Sequence, residues 1–75
     1  MRVVVKKDGL VVHEERCIHL SKVVDRSKEI LAYASQLDNG KAEIGFMKGE
    51  RKVAQRTTII GSSINYNQYR LTVLP

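Results

Sequence analysis

Residues 21–38 carry the only clean helical hydrophobic period in this 75-residue chain. At about 100° per residue, apolar and small side chains fall within an arc roughly 140° wide. That arc holds Leu20, Val23, Val24, Ser27, Ile30, Leu31, Ala34 and Leu37. Ser21 is a suitable N-cap, and Asn39-Gly40 can adopt the left-handed conformation that ends a helix. The sequence therefore predicts one amphipathic helix over 21–38.

The remainder of the chain has the alternation of apolar and polar residues that is typical of β-strands. Residues 2–7 and 10–16 are predicted to form a hairpin, because Asp8-Gly9 supplies the positive φ of a tight turn. Further strands are predicted over 41–47, 51–60 and 64–74, separated by glycine-containing turns. The expected element order is β-β-α-β-β-β.

This order predicts a single α+β domain over residues 1–75, with a mostly antiparallel sheet and the helix packed on one of its faces. A hairpin, a helix that crosses the sheet and further strands resemble the β-grasp arrangement of ubiquitin-like domains. The resemblance is one of element order, and it implies a fold rather than a function.

Cysteine content and hydropathy favour a soluble cytoplasmic protein. Cys17 is the only cysteine, so no internal disulfide can form, whereas small secreted domains usually carry several. The N-terminal apolar run is only Val3-Val4-Val5 before two lysines, which is too short for a signal peptide. No apolar stretch is long enough to span a membrane. We expect a monomer or a small homo-oligomer.

The positive charge is concentrated toward the C-terminus. Residues 1–47 contain eight Lys/Arg and seven Asp/Glu, which gives a net charge of +1. Residues 48–75 contain five Lys/Arg and only Glu50 as an acid, which gives +4. This asymmetry suggests a polyanionic partner or an acidic protein surface.

The strand alternation places several of these C-terminal residues on the sheet face that the helix leaves uncovered. Cations there can neutralise phosphates, and a tyrosine ring can stack on a base. The candidate nucleic-acid-binding residues are Lys48, Arg51, Lys52, Arg56, Tyr66 and Arg70. The alternative is a solvated face whose Lys and Arg only discourage aggregation.

No motif indicates catalysis, a metal or a cofactor. His13, Glu15, Cys17 and His19 lie close together in sequence, but their spacing matches no usual zinc pattern. Sequence neighbours on one strand also rarely converge into a catalytic triad. The leading hypothesis is therefore a small non-enzymatic protein that binds nucleic acid through its basic C-terminal sheet.

The rival hypothesis is a protein-binding regulator, an adaptor or an inhibitor of the kind that viruses and mobile elements encode. It would act through a sheet edge and the basic face. Outward-facing apolar residues, among them Val4 and Val11, would mark a partner surface if they form one patch. A purely structural subunit is a third class, which a large stable oligomer would favour.

Overall fold

The computed structural model describes residues 1–75 and folds them into eight β-strands. The strands are β1 (Arg2–Lys7), β2 (Leu10–Arg16), β3 (His19–Asp25), β4 (Ile30–Gln36), β5 (Lys41–Lys48), β6 (Arg51–Ile59), β7 (Ser63–Tyr66) and β8 (Tyr69–Leu74). They form two antiparallel four-stranded sheets. Sheet A has the strand order β2-β1-β8-β7, and sheet B has the order β3-β4-β5-β6.

The predicted helix over 21–38 is wrong, and with it the α+β class and the β-grasp-like arrangement. The chain is all-β: this segment forms most of β3, a turn over 26–29 and β4. β4 lies between β3 and β5, so its backbone has ladder partners on both sides. β-Branched residues such as Val23, Val24 and Ile30 also favour strands.

Burial along this segment follows the period of a strand and not that of a helix. Ile30, Ala32 and Ala34 are buried and alternate with half-buried residues. Ala32 lies outside the helical stripe and is fully buried, whereas Val23 and Leu37 belong to the stripe and are 47% and 40% exposed. The same apolar residues satisfy both periods approximately, and the tertiary partners select the strand.

Most of the predicted strands are present. The hairpin of 2–7 and 10–16 is confirmed, with positive φ at Asp8 and Gly9. The strands predicted over 41–47 and 51–60 match β5 and β6 to within one residue at each end. The last predicted strand, 64–74, is instead two strands, because Asn67 turns the chain with a φ of 52°.

Four of the five hairpin turns lie at one end of the molecule, which we call the hairpin end, and the β4–β5 turn lies at the opposite end. Antiparallel pairing of consecutive strands places the β1–β2, β3–β4, β5–β6 and β7–β8 turns on the same side. Three contacts join these turns across the two sheets and within them: Lys7 Nζ to Asp25 Oδ2 at 3.3 Å, Gly49 N to Glu29 O at 3.0 Å, and Asp8 N to Gln68 O at 2.9 Å. The chain termini lie at the opposite end.

One apolar core of 12 side chains lies between the sheets. Sheet A contributes Val3, Val5, Tyr69, Leu71 and Val73; sheet B contributes Leu20, Ile30, Ala32, Ala34, Ala42, Ile44 and Phe46. The Phe46 ring is fully buried, and its centroid is 6.1 Å from that of Tyr66 and 6.0 Å from that of Tyr69. Phe46 therefore joins the two sheets through aromatic contacts.

We predict that Phe46→Ala lowers the free energy of unfolding by about 3–5 kcal/mol, because it leaves a cavity between the sheets. Val11→Ala is the control: Val11 is 53% exposed, so its truncation should change stability by no more than about 0.5 kcal/mol. Urea unfolding of the two variants measures both values. Equal, small losses would contradict the placement of Phe46 at the centre of the core.

Candidate functional site

The six candidate residues do not share one sheet face. In β6 a bulge places Lys52 opposite Met47 and Ala54 opposite Phe46, so Val53 is an extra residue. Because a bulge reverses the alternation of faces beyond it, Lys52 and Arg56 point to different sides. Lys52 lies on the outer face of sheet B.

Arg56 and Lys52 accordingly have separate partners. The Arg56 Nη1 donates to the Ser63 carbonyl at 3.4 Å, which bridges the edge strands β6 and β7. Lys52 Nζ lies 3.6 Å from Glu43 Oε1 and 5.5 Å from the centroid of the Tyr33 ring. The charge of Lys52 is thus partly neutralised.

Tyr66 faces the core, where the sequence predicted it to face outward. The turn at Asn67 pairs Tyr66 directly with the buried Tyr69, and directly paired residues share a face. The Tyr66 ring packs toward Phe46. The signal that could have revealed this turn is Asn67 itself, since asparagine tolerates a left-handed conformation.

Arg70 lies on the outer face of sheet A, between the buried Tyr69 and Leu71. Its Nε donates to Asn65 Oδ1 at 2.9 Å. Lys6 is directly opposite Arg70 across the β1–β8 pair. Arg70 and Lys52 are therefore on opposite outer faces of the molecule.

What the fold does bring together is a set of cations at the hairpin end. From the candidate set, Lys48, Arg51, Lys52 and Arg70 lie within two residues of a hairpin turn. The same end carries four cations that the sequence analysis did not single out: Lys6, Lys7, Arg26 and Lys28.

Most of the excess charge of the protein is at this end. Eight Lys/Arg lie there with four Asp/Glu (Asp8, Asp25, Glu29 and Glu50), which gives +4 of the total +5. Only Lys7 and Lys52 of the eight have a carboxylate oxygen within 4.0 Å. The other six are exposed and have no such partner: Lys6, Arg26, Lys28, Lys48, Arg51 and Arg70. Their charge is available to an external anion.

Asp25 fixes the geometry of this end. Its side chain, which is 8% exposed, accepts hydrogen bonds from Tyr69 Oη, from Ser27 Oγ at 2.7 Å and from the Lys28 amide at 3.3 Å. Lys7 Nζ adds an ion pair at 3.3 Å. Asp25 belongs to sheet B, whereas Tyr69 and Lys7 belong to sheet A, so this carboxylate connects the sheets.

The hydrogen bonds also shift the pKa values of Asp25 and Tyr69. The pKa of Asp25 is well below its usual range, mainly because Tyr69 and then Ser27 donate to the carboxylate. Burial, together with the hydrogen bond to Asp25, raises the pKa of Tyr69 to about 12. Both groups therefore keep their ordinary forms, a carboxylate and a neutral phenol, at neutral pH.

The histidine and cysteine segment is not gathered into a site. His13 Nε2 lies 3.0 Å from Glu15 Oε1 on β2, Cys17 is half-buried against the core, and His19 lies on β3 in the other sheet. The structure contains no group of three His, Cys, Asp or Glu side chains that could hold a metal ion.

Comparisons with protein families, with curated proteins and with solved structures found no match. The structure has no helix of sufficient length and hydropathy to span a bilayer. The function is therefore argued from the charge and geometry of the hairpin end.

We predict that Asp25→Asn destabilises the protein at neutral pH, because the amide loses the ion pair with Lys7 and accepts more weakly from Tyr69. Because the pKa of Asp25 is lower in the folded protein, its carboxylate stabilises the fold at pH values above about 3.9, the pKa of an aspartate in the unfolded chain. This stabilisation is lost as the pH falls from about 3.9 toward the pKa of the folded state. The stability difference between wild type and variant should thus be constant above about pH 5 and shrink below about pH 4.

Urea unfolding at a series of pH values measures this difference. Asp38→Asn is the control, because Asp38 is exposed and has no cation within 4.0 Å. It should unfold at the same urea concentration as wild type. An Asp25→Asn variant that matches this control at pH 7 would rule out the proposed connection between the sheets.

Proposed function

We propose that this chain is a small non-enzymatic protein that binds nucleic acid through the cations of the hairpin end. The observation that carries the proposal is the net charge of +4 at one end, with six exposed cations that lack a carboxylate partner. Such unneutralised charge repels itself, and a phosphate backbone relieves the repulsion while releasing its own counterions.

The proposal keeps part of the original residue set and changes the mode of contact. Lys48, Arg51 and Arg70 are exposed at the hairpin end. Lys52 also lies at this end, but it forms an ion pair with Glu43. Arg56 lies away from this end, in the middle of β6. Lys48, Arg51 and Arg70 would bind phosphates together with the three other exposed cations of this end, Lys6, Arg26 and Lys28.

Aromatic stacking is not part of the proposed contact. Tyr66 and Tyr69 pack toward Phe46. Tyr33 lies on the outer face of sheet B, but it is half-buried against Gly45, and Lys52 Nζ lies 5.5 Å from the centroid of its ring. Single-strand binding depends on exposed rings as well as charge. We therefore propose binding to the phosphates of a double helix, with little dependence on base sequence.

A protein-binding regulator remains the second candidate function, and the edge of sheet A favours it. β2 pairs only with β1, so its other edge has no strand partner. Leu10, Val11 and Val12 at its start are 73%, 53% and 45% exposed. Such an edge can accept a strand of another protein or of a second copy. In either role, the single free Cys17 fits a cytoplasmic location.

We predict that Lys48→Gln/Arg51→Gln weakens binding to duplexes of unrelated sequence alike. The slope of log K against log salt concentration should fall by about 2, because two phosphate contacts are lost. Arg16→Gln/Lys41→Gln is the matched control: it removes the same two types of charge at the opposite end and should leave the slope unchanged.

Fluorescence anisotropy over a salt series measures these slopes. Equal losses for the two double variants would show that net charge, and not the hairpin end, governs binding. Absence of duplex binding by the wild type at low salt would reject the proposal. A protein partner retained after nuclease treatment and lost with Val11→Lys would establish the second candidate.

A further inference from the structure

A polar groove lies beside the β1–β2 and β7–β8 turns at the hairpin end of sheet A. Its volume is about 340 Å³, which is within the usual range for sites that bind small molecules, about 300–1,000 Å³. The side chains that concern the argument are Lys6, Arg70, Asn65, Asn67 and Gln68. The groove thus combines two cations with three amides.

The two cations of the groove repel each other. Lys6 and Arg70 are directly opposite in the β1–β8 register, and like charges in such positions are unfavourable. Neither has a carboxylate oxygen within 4.0 Å. An anion between them would remove this repulsion.

The guanidinium of Arg70 is already oriented. Asn65 Oδ1 accepts from its Nε at 2.9 Å, and no protein group accepts from the two Nη atoms. Arginine binds phosphate oxygens through two parallel N–H groups. The hydrogen bond from Arg70 to Asn65 therefore leaves a fork of donors free for an oxyanion.

The turns that border the groove are also held in place. The Asp8 amide donates to the Gln68 carbonyl at 2.9 Å, which joins the β1–β2 turn to the β7–β8 turn. Asn67 and Gly9 have positive φ values of 52° and 79°. A preformed groove spends little binding free energy on ordering its loops.

We infer that this groove binds a phosphate monoester that carries a nucleoside, as in a nucleotide or at the phosphorylated end of a nucleic-acid strand. The charge of such a group, about −1.5 to −2 at neutral pH, matches the two cations, whereas an internal phosphodiester carries only one negative charge. The groove is larger than a phosphate needs. The side-chain amides of Asn67 and Gln68 can donate to and accept from a base or sugar, and the Asn65 NH2 group can donate. The strand-end source rests on the proposed function; the nucleotide source does not.

The test uses calorimetry with adenosine monophosphate, adenosine and inorganic phosphate on the intact protein. Adenosine monophosphate should bind the wild type, and Arg70→Gln or Lys6→Gln should weaken it roughly 10- to 100-fold, as expected for a lost charged hydrogen bond. Arg16→Gln, on the same outer face of sheet A but at the other end, should have no effect. Both groove cations are exposed, so their substitution should leave the fold intact, which circular dichroism checks.

Duplexes with a 5′-phosphate and with a 5′-hydroxyl distinguish the sources. Tighter binding of the phosphorylated duplex, lost in Arg70→Gln, supports the strand end. If adenosine monophosphate binds and the protein binds the two duplexes with equal affinity, the source is a free nucleotide. If adenosine binds as well as its monophosphate, or if neither the monophosphate nor the 5′-phosphate has an effect, the inference is overturned. Salt-dependent duplex binding could still stand in that case, and nucleotide binding without any duplex binding would reject only the proposed function.

Discussion

The hydrogen bond between Tyr69 and Asp25 is the contact on which the hairpin end depends. The Tyr69 ring is part of the core, and its hydroxyl donates to the Asp25 carboxylate at the end of β3. Tyr69 therefore contributes both to the packing of the core and to the polar contact between the sheets. A carboxylate that is mostly removed from water is stable only when its oxygens have donors. Asp25 has four, from Tyr69, Ser27, Lys28 and Lys7. Its charge is neutralised within the protein.

The pairing of Asp25 with Lys7 removes one charge of each sign from the hairpin end, so its excess of +4 comes from the other cations there. Asp25 is occupied by internal donors and Lys7 by Asp25. The exposed cations near the neighbouring turns have no such carboxylate partner. They belong to different strands, and the fold places the ends of these strands at the same end of the molecule. An anion that spans several turns can contact cations from both sheets at once. The hydrogen bonds that join neighbouring turns reduce the entropy that such a contact would cost.

The sequence predicted the hairpin of β1 and β2 and the strands β5 and β6, since their alternation and turn residues are local signals. It could not exclude the helix over 21–38. Leu20, Ile30 and Ala34 are buried in either period, and only the partner strands on both sides of β4 decide between them. Local propensity is a weak prior against such tertiary context.

For the candidate site too, the sequence indicated some of the residues but not the tertiary context that places them. Lys48, Arg51 and Arg70 were identified from C-terminal charge, but their common location is an end of the molecule and not a sheet face. Two single-residue features changed the faces: the bulge at Val53 and the turn at Asn67. The sequence did not indicate Lys6 and Arg26 as candidates, because acidic residues nearly balance the positive charge of residues 1–47. The positive and negative charges are separated only after folding.

The most direct test of the account is a nuclear magnetic resonance titration of the isotope-labelled protein with a DNA duplex at low salt. Four glycine amides report on the two ends: Gly9 and Gly49 lie in turns of the hairpin end, and Gly40 and Gly61 lie in connections at the opposite end. The account predicts that the amide signals of Gly9 and Gly49 shift on addition of duplex while those of Gly40 and Gly61 stay in place. Shifts confined to Gly40 and Gly61, or equal at both ends, would contradict it.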